Sequence, residues 1–161
     1  MITLADQTGL ICGYLIRPSG AELIGWDDIP RALQTENGIA WLHFNLADMR
    51  ARHWIESCER IPRRARETLL ASDQHIRLEP IGTGIAGVVG DFHHHLHDES
   101  GQVGQLRLFV DEHCMISARR LPLKAVDLLR HSISEGATCR QPIDLVIELE
   151  HHLGDALAEV I

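Results

Sequence analysis

Four of the chain's 11 histidines fall in one ten-residue stretch, "DFHHHLHDES", Asp91 to Ser100. In an extended backbone His93, His95 and His97 share one face and His94 takes the other. Residues i and i+2 on a strand sit roughly 6.5–7 Å apart. Two such imidazoles can converge on one Zn2+, whose nitrogen ligands lie at about 2.0–2.1 Å. Further ligands would have to come from Asp91, Asp98 or a neighbouring chain. The alternative is a polar strand end running into a solvated loop. No second half of a zinc signature stands at diagnostic spacing.

The C-terminal segment carries a second set. Glu148/His152 and His151/Asp155 are i, i+4 pairs, so each could chelate a metal from one helix face. As plain surface pairs they would contribute only about 0.2–0.5 kcal/mol each. Acid/base chemistry by His93 or His95 with Asp91 is the enzymatic alternative. It lacks a nucleophile elbow, a phosphate loop or an H-E-x-x-H helix. "GTGIAG" (Gly82–Gly87) enters a strand rather than a helix, which fails the context of a dinucleotide fingerprint. An enzyme and an organic cofactor are therefore not expected.

The chain that must position these groups has 161 residues, 45% of them hydrophobic, and a net charge of −8. One domain with a real core is expected. The start lacks the basic residues and apolar run of a signal peptide, and no window approaches the apolar length of a membrane helix. The expectation is a soluble cytosolic chain. Acidity argues against a nucleic-acid partner and for a surface that attracts cations. The one basic cluster, "RIPRRAR" (Arg60–Arg66), reads as a solvated helix face. Cys12, Cys58, Cys114 and Cys139 show no C-x-x-C pairing and are expected to be small buried hydrophobes rather than a disulfide framework.

"GLICGYLI" (Gly9–Ile16) predicts a strand ending at a Pro-Ser-Gly turn, and "WDDIPRAL" (Trp26–Leu33) a short helix capped by Asp28. "GIAWLHFNL" (Gly38–Leu46) predicts a strand with Ile39, Trp41, His43 and Asn45 on one face and Ala40, Leu42, Phe44 and Leu46 on the other. Ala51, Trp54, Ile55 and Cys58 form a helical stripe, and a second helix runs over 63–71. Four strands follow over 75–82, 84–97, 104–113 and 114–120, with turns at Asp98–Gly104 and Asp111–His113. A helix with Val126, Leu129 and Ile133 inward stops at Gly136.

The last segment starts at Pro142. Val146, Leu149, Leu153, Ala156 and Val160 repeat at 3, 4, 3, 4, a heptad seam, and Ile143, Leu157 and Ile161 widen it. Such a helix would contact its own domain and something else. The expected division is 1–141 as an α/β domain and 142–161 as the start of a long stalk helix packed on it.

The order of these segments resembles the cytoplasmic domain of CorA-type divalent-cation transporters, in particular the ZntB-like zinc branch. The residues that carry the likeness are Trp41-Leu42-His43, the Leu69-Leu70 segment leading to Arg77, and above all "RLFVDEHCMISARR" with the helix after it. The resemblance implies an α/β/α layered domain around a mixed, largely antiparallel sheet, with a C-terminal helix truncated before the membrane. It implies a homopentamer at the cytoplasmic face of the inner membrane, self-associating through that helix, with Zn2+ or Mg2+ as transported or regulatory ion. Where the family often has Arg-Pro-Arg, this chain has His75-Ile76-Arg77. Transmembrane helices and the Gly-x-Asn pore loop are absent, so the chain is expected to be the regulatory or ion-attracting part and not to conduct by itself. The alternative is a free-standing His-rich metal-binding or sensing protein.

Overall fold

The structure, a computed structural model, describes residues 8–93 and 103–160. Seven strands form one sheet: β1 (Leu10–Arg17), β2 (Gly20–Leu23), β3 (Ile39–Asn45), β4 (Arg77–Ile81), β5 (Gly84–Phe92), β6 (Val103–Val110) and β7 (Cys114–Arg119). Their spatial order is β2-β1-β3-β7-β6-β5-β4. Every neighbouring pair is antiparallel except β3 with β7, which is parallel, so the sheet is mixed and largely antiparallel as expected. Among the described residues the α-helices are α1 (Ile29–Gln34), α2 (Met49–Ser57), α3 (Arg63–Leu70), α4 (Lys124–Ser134) and α5 (Ile143–Val160).

Alternation along the strands divides the core into two layers. Ala40, Leu42 and Phe44 of β3 join Ile116 and Ala118 of β7 against α1, α2 and α3. Trp41 of β3 and Leu106, Leu108 and Met115 pack on the opposite side, under Val126, Leu129 and Ile133 of α4 and Leu145 and Leu149 of α5. The α/β/α layering thus follows from a sheet apolar on both faces.

The β3–β7 junction carries a polar lock. His43 stands directly opposite Ser117 in the parallel register. The Ser117 hydroxyl accepts from Trp41 Nε1 at 2.9 Å and lies 2.8 Å from His43 Nδ1. One hydroxyl can accept from the indole and donate to the imidazole, which places the His43 proton on Nε2. All three side chains are buried.

Two expectations need revision. β2 was not anticipated: the sequence "GAEL" is mostly exposed on the sheet edge, so it has no apolar alternation to read. On α5 the buried stripe is Leu145, Leu149 and Ala156, with Val146 and Leu153 half-buried. The side of the helix facing its own sheet is thus rotated from the heptad seam. Gly136 does end α4, in a left-handed conformation (φ 98°).

Ser117→Ala should strand two buried polar nitrogens, at about 1–3 kcal/mol each. Urea unfolding is expected to show a loss of about 2–4 kcal/mol without a change of slope. A loss under about 0.5 kcal/mol would show that the hydroxyl does not hold the junction.

Candidate functional site

Asp91 and His93 lie at the end of β5, where it meets the start of α4. Leu123, the residue before α4, has no side chain able to cap a helix. Asp91 supplies that cap from another element. Its Oδ1 accepts from Ala125 N at 3.0 Å and from Phe92 N at 2.7 Å, and its Oδ2 accepts from Val126 N at 3.2 Å. Two otherwise orphaned N–H groups of the first turn are satisfied, and the carboxylate faces the positive end of the helix. Asp91 is only 2% exposed. Burial pushes its carboxyl up, and the three backbone donors pull against that rise.

His93 forms an isolated antiparallel bridge with Leu123. Its ring lies over Gly104 of β6, where a Cβ would come within 2.4 Å of Nε2. That glycine makes room for the imidazole. His95 and His97 lie outside the described residues. On α5, Glu148 Oε2 and His152 Nε2 are 3.7 Å apart, a reach that suits an ion pair, while His151 and Asp155 are exposed. Among the described residues, no three His, Cys, Asp or Glu side chains gather as a metal site. The structure therefore brings Asp91 to α4 and sets Glu148 beside His152, on an element separate from the histidine run.

The charged cluster Arg60–Arg66 is consumed locally. Arg63 pairs with Glu67 at 3.1 Å, Arg64 with Glu79 at 2.9 Å, and Arg60 with Asp111 at 3.5 Å. Arg66 donates to the carbonyl of Glu56 at 2.8 Å, near the end of α2. The four cysteines are free thiols. Burial pushes Cys12 and Cys114 up to about 12, which makes them inert hydrophobes at neutral pH.

Two further polar residues escaped the sequence reading. His43 is fully enclosed, and burial lowers it to about 3, with Arg119 and Arg130 adding to the effect. Arg107, on β6, is 3% exposed and donates through Nη1 to the carbonyl of Thr68 at 3.1 Å and through Nη2 to that of Asp73. The available signal for both was a charged or titratable residue inside an otherwise apolar strand.

A family model described as "CorA-like Mg2+ transporter protein" matches residues 36–161. The chain belongs to this family. It is 26% identical over 158 residues to the divalent cation transporter CmaX of Pseudomonas aeruginosa, covering 97% of this chain and 48% of that protein. With the zinc transport protein ZntB of Cronobacter sakazakii it shares 25% over 97 residues, 60% of this chain and 30% of the relative. The match thus spans less than half the length of each of these relatives. The solved structure of full-length CmaX superposes with a TM-score of 0.86 at 25% identity, covering 96% of this chain and 48% of that one. The ZntB cytoplasmic domain from Vibrio parahaemolyticus gives 0.70 at 16% identity, covering 91% and 58%, a likeness of fold alone. The segment order that first suggested the CorA-like domain is the order of this shared fold.

Three outcomes follow. Asp91→Ala should cost about 2 kcal/mol through loss of the α4 cap. Asp91→Asn should leave any Zn2+ affinity measured by calorimetry unchanged, and a lost zinc signal would contradict the capping role. His43 is neutral in the folded chain down to about pH 3, whereas an exposed histidine protonates near 6.5. Its contribution is therefore complete above about pH 6.5 and is lost as pH falls toward 3, by about 1.4 kcal/mol per pH unit. Urea midpoints between about pH 4 and 6 should fall more steeply in the wild type than in His43→Gln.

Proposed function

We propose that this chain is the cytoplasmic part of a divalent-cation transporter whose complete form carries Zn2+ or Mg2+. It attracts or regulates the ion and does not conduct by itself; the role is that of a transporter part rather than an enzyme. The observation that carries this reading is the match over 97% of the chain with a divalent cation transporter, at a TM-score of 0.86 to the solved full-length CmaX structure. One further feature agrees with it. The net charge of −8 favours cations near the surface.

Assembly as a homopentamer at the cytoplasmic face of the inner membrane belongs to the same proposal. Helix α5 buries one side on its own domain and leaves Ile147 and Leu157, 46% and 48% exposed, on another. Cation contacts within the proposal fall to His93, His95 and His97 and to the helical pairs Glu148/His152 and His151/Asp155. Asp91 stands apart in the expected set, because its carboxylate already accepts three backbone N–H groups.

The test is cation flux into proteoliposomes holding the complete gene product, read with Zn2+ and Mg2+ indicators. Flux of at least one ion is expected, with a changed ion dependence when residues 1–161 are deleted. No flux of either ion would end the reading. Ile147→Glu with Leu157→Glu should lower the pentamer fraction seen by light scattering in detergent, while the thermal unfolding of the 161-residue chain stays unchanged.

A further inference from the structure

A cavity of about 280 Å³ opens where β6 begins and β7 leaves the sheet. Its polar lining comes from Ser72, Gln74, His93, Gln105, Arg107 and Arg120. Two arginines therefore line one small space, whose remaining wall is apolar, from Val103, Leu121 and Leu123.

Arg107 is the anchor. A buried guanidinium needs compensation for its lost hydration. Its two bonds go to main-chain carbonyls, of Thr68 in the last turn of α3 and of Asp73 beyond it. The negative end of a helix offers about half a charge at most. Burial works against the charged form of Arg107, the carboxylate of Asp73 supports it, and the charges of Arg120 and Arg77 oppose it. The one acid whose charge supports Arg107, Asp73, is itself held by Arg77 at 2.6 Å. No ion pair joins Arg107 or Arg120 to an acid among the described residues.

Of the five N–H donors on a guanidinium, the two carbonyl bonds account for only part of Arg107's capacity. Arg120 adds a second planar fork, and Ser72, Gln74 and Gln105 add neutral donors. Forked guanidinium donors match the paired oxygens of phosphate and carboxylate groups. The volume falls just below the roughly 300–1,000 Å³ of sites for whole organic ligands.

We infer that this cavity is a binding site for a small oxyanion of the phosphate type, held between Arg107 and Arg120. The site sits beside the Asp91–α4 contact, so its occupant would bear on the same corner of the domain. The inference does not rest on the transporter reading, because it concerns binding by this chain alone.

The probe is inorganic phosphate, titrated into the chain at constant ionic strength and followed by phosphorus NMR. Saturable binding is expected. Arg120→Gln, a surface change, should weaken it at least tenfold with an unaltered thermal melt. Arg107→Lys keeps the charge and removes the fork, and should weaken it as well. Arg63→Gln, whose partner Glu67 lies on the exposed side of α3, should bind as the wild type does. Non-saturable binding, an unchanged affinity in Arg120→Gln, or an equal loss in Arg63→Gln would overturn the site. ATP should bind no more tightly than phosphate; a tenfold tighter ATP would overturn the assignment to a small ligand.

Discussion

The parallel pairing of β3 with β7 is the constraint on which the rest of the domain depends. All other strand neighbours are antiparallel. Remove this one pairing and the sheet becomes two separate ribbons, β2-β1-β3 and β7-β6-β5-β4. Each ribbon alone would have one new open edge and half a core. The pairing also joins residues far apart in the chain, Ala40 with Cys114 through Asn45 with Arg119. Closing so long a loop costs entropy before contacts reward it. The register is held by apolar fit on one face and, on the other, by a hydroxyl between Trp41 and His43. A shift of one residue would exchange the two faces of β3 and bury nothing correctly.

Once the sheet is joined, the helices on its second face have a fixed platform. Helix α4 covers the junction with Val126, Leu129 and Ile133 and is pinned at its start by Asp91 of β5. Helix α5 then packs on α4, and Lys124 at the start of α4 contacts Glu159 near the end of α5. A chain of dependence runs from the strand junction to the terminal helix. It explains why an acidic residue in a histidine-rich stretch serves architecture. Asp91 caps an otherwise uncapped helix, and its three hydrogen bonds to backbone N–H groups lie inside the domain.

Much of this was legible from residue order. The alternating faces of β3 are those of Ala40, Leu42 and Phe44 against Ile39 and Trp41, as periodicity required. Helix α4 begins after Pro122 and stops at Gly136 for the backbone reasons that the sequence displays. What escaped was of two kinds. β2 is an exposed edge, and its pairing with β1 depends on the turn before it rather than on apolar alternation. Partnerships across the fold, such as Asp91 with α4, Arg107 with the end of α3, and Ser117 with Trp41 and His43, leave no local pattern. They follow from which elements become neighbours, and sequence spacing does not encode that. The orientation of α5 belongs with them. Its seam is visible in the chain, but the platform decides that Leu145 turns inward.

Hydrogen exchange resolved by residue tests the central dependence most directly. If the parallel junction unites the sheet, the amides of Ala40–Asn45 and Met115–Ala118 should be the slowest in the domain. They should open together, with the free energy of global unfolding. Exchange of the β1–β3 ribbon at a rate separate from that of the β7–β4 ribbon, with the junction amides opening first, would show that the two halves stand independently and would contradict this account.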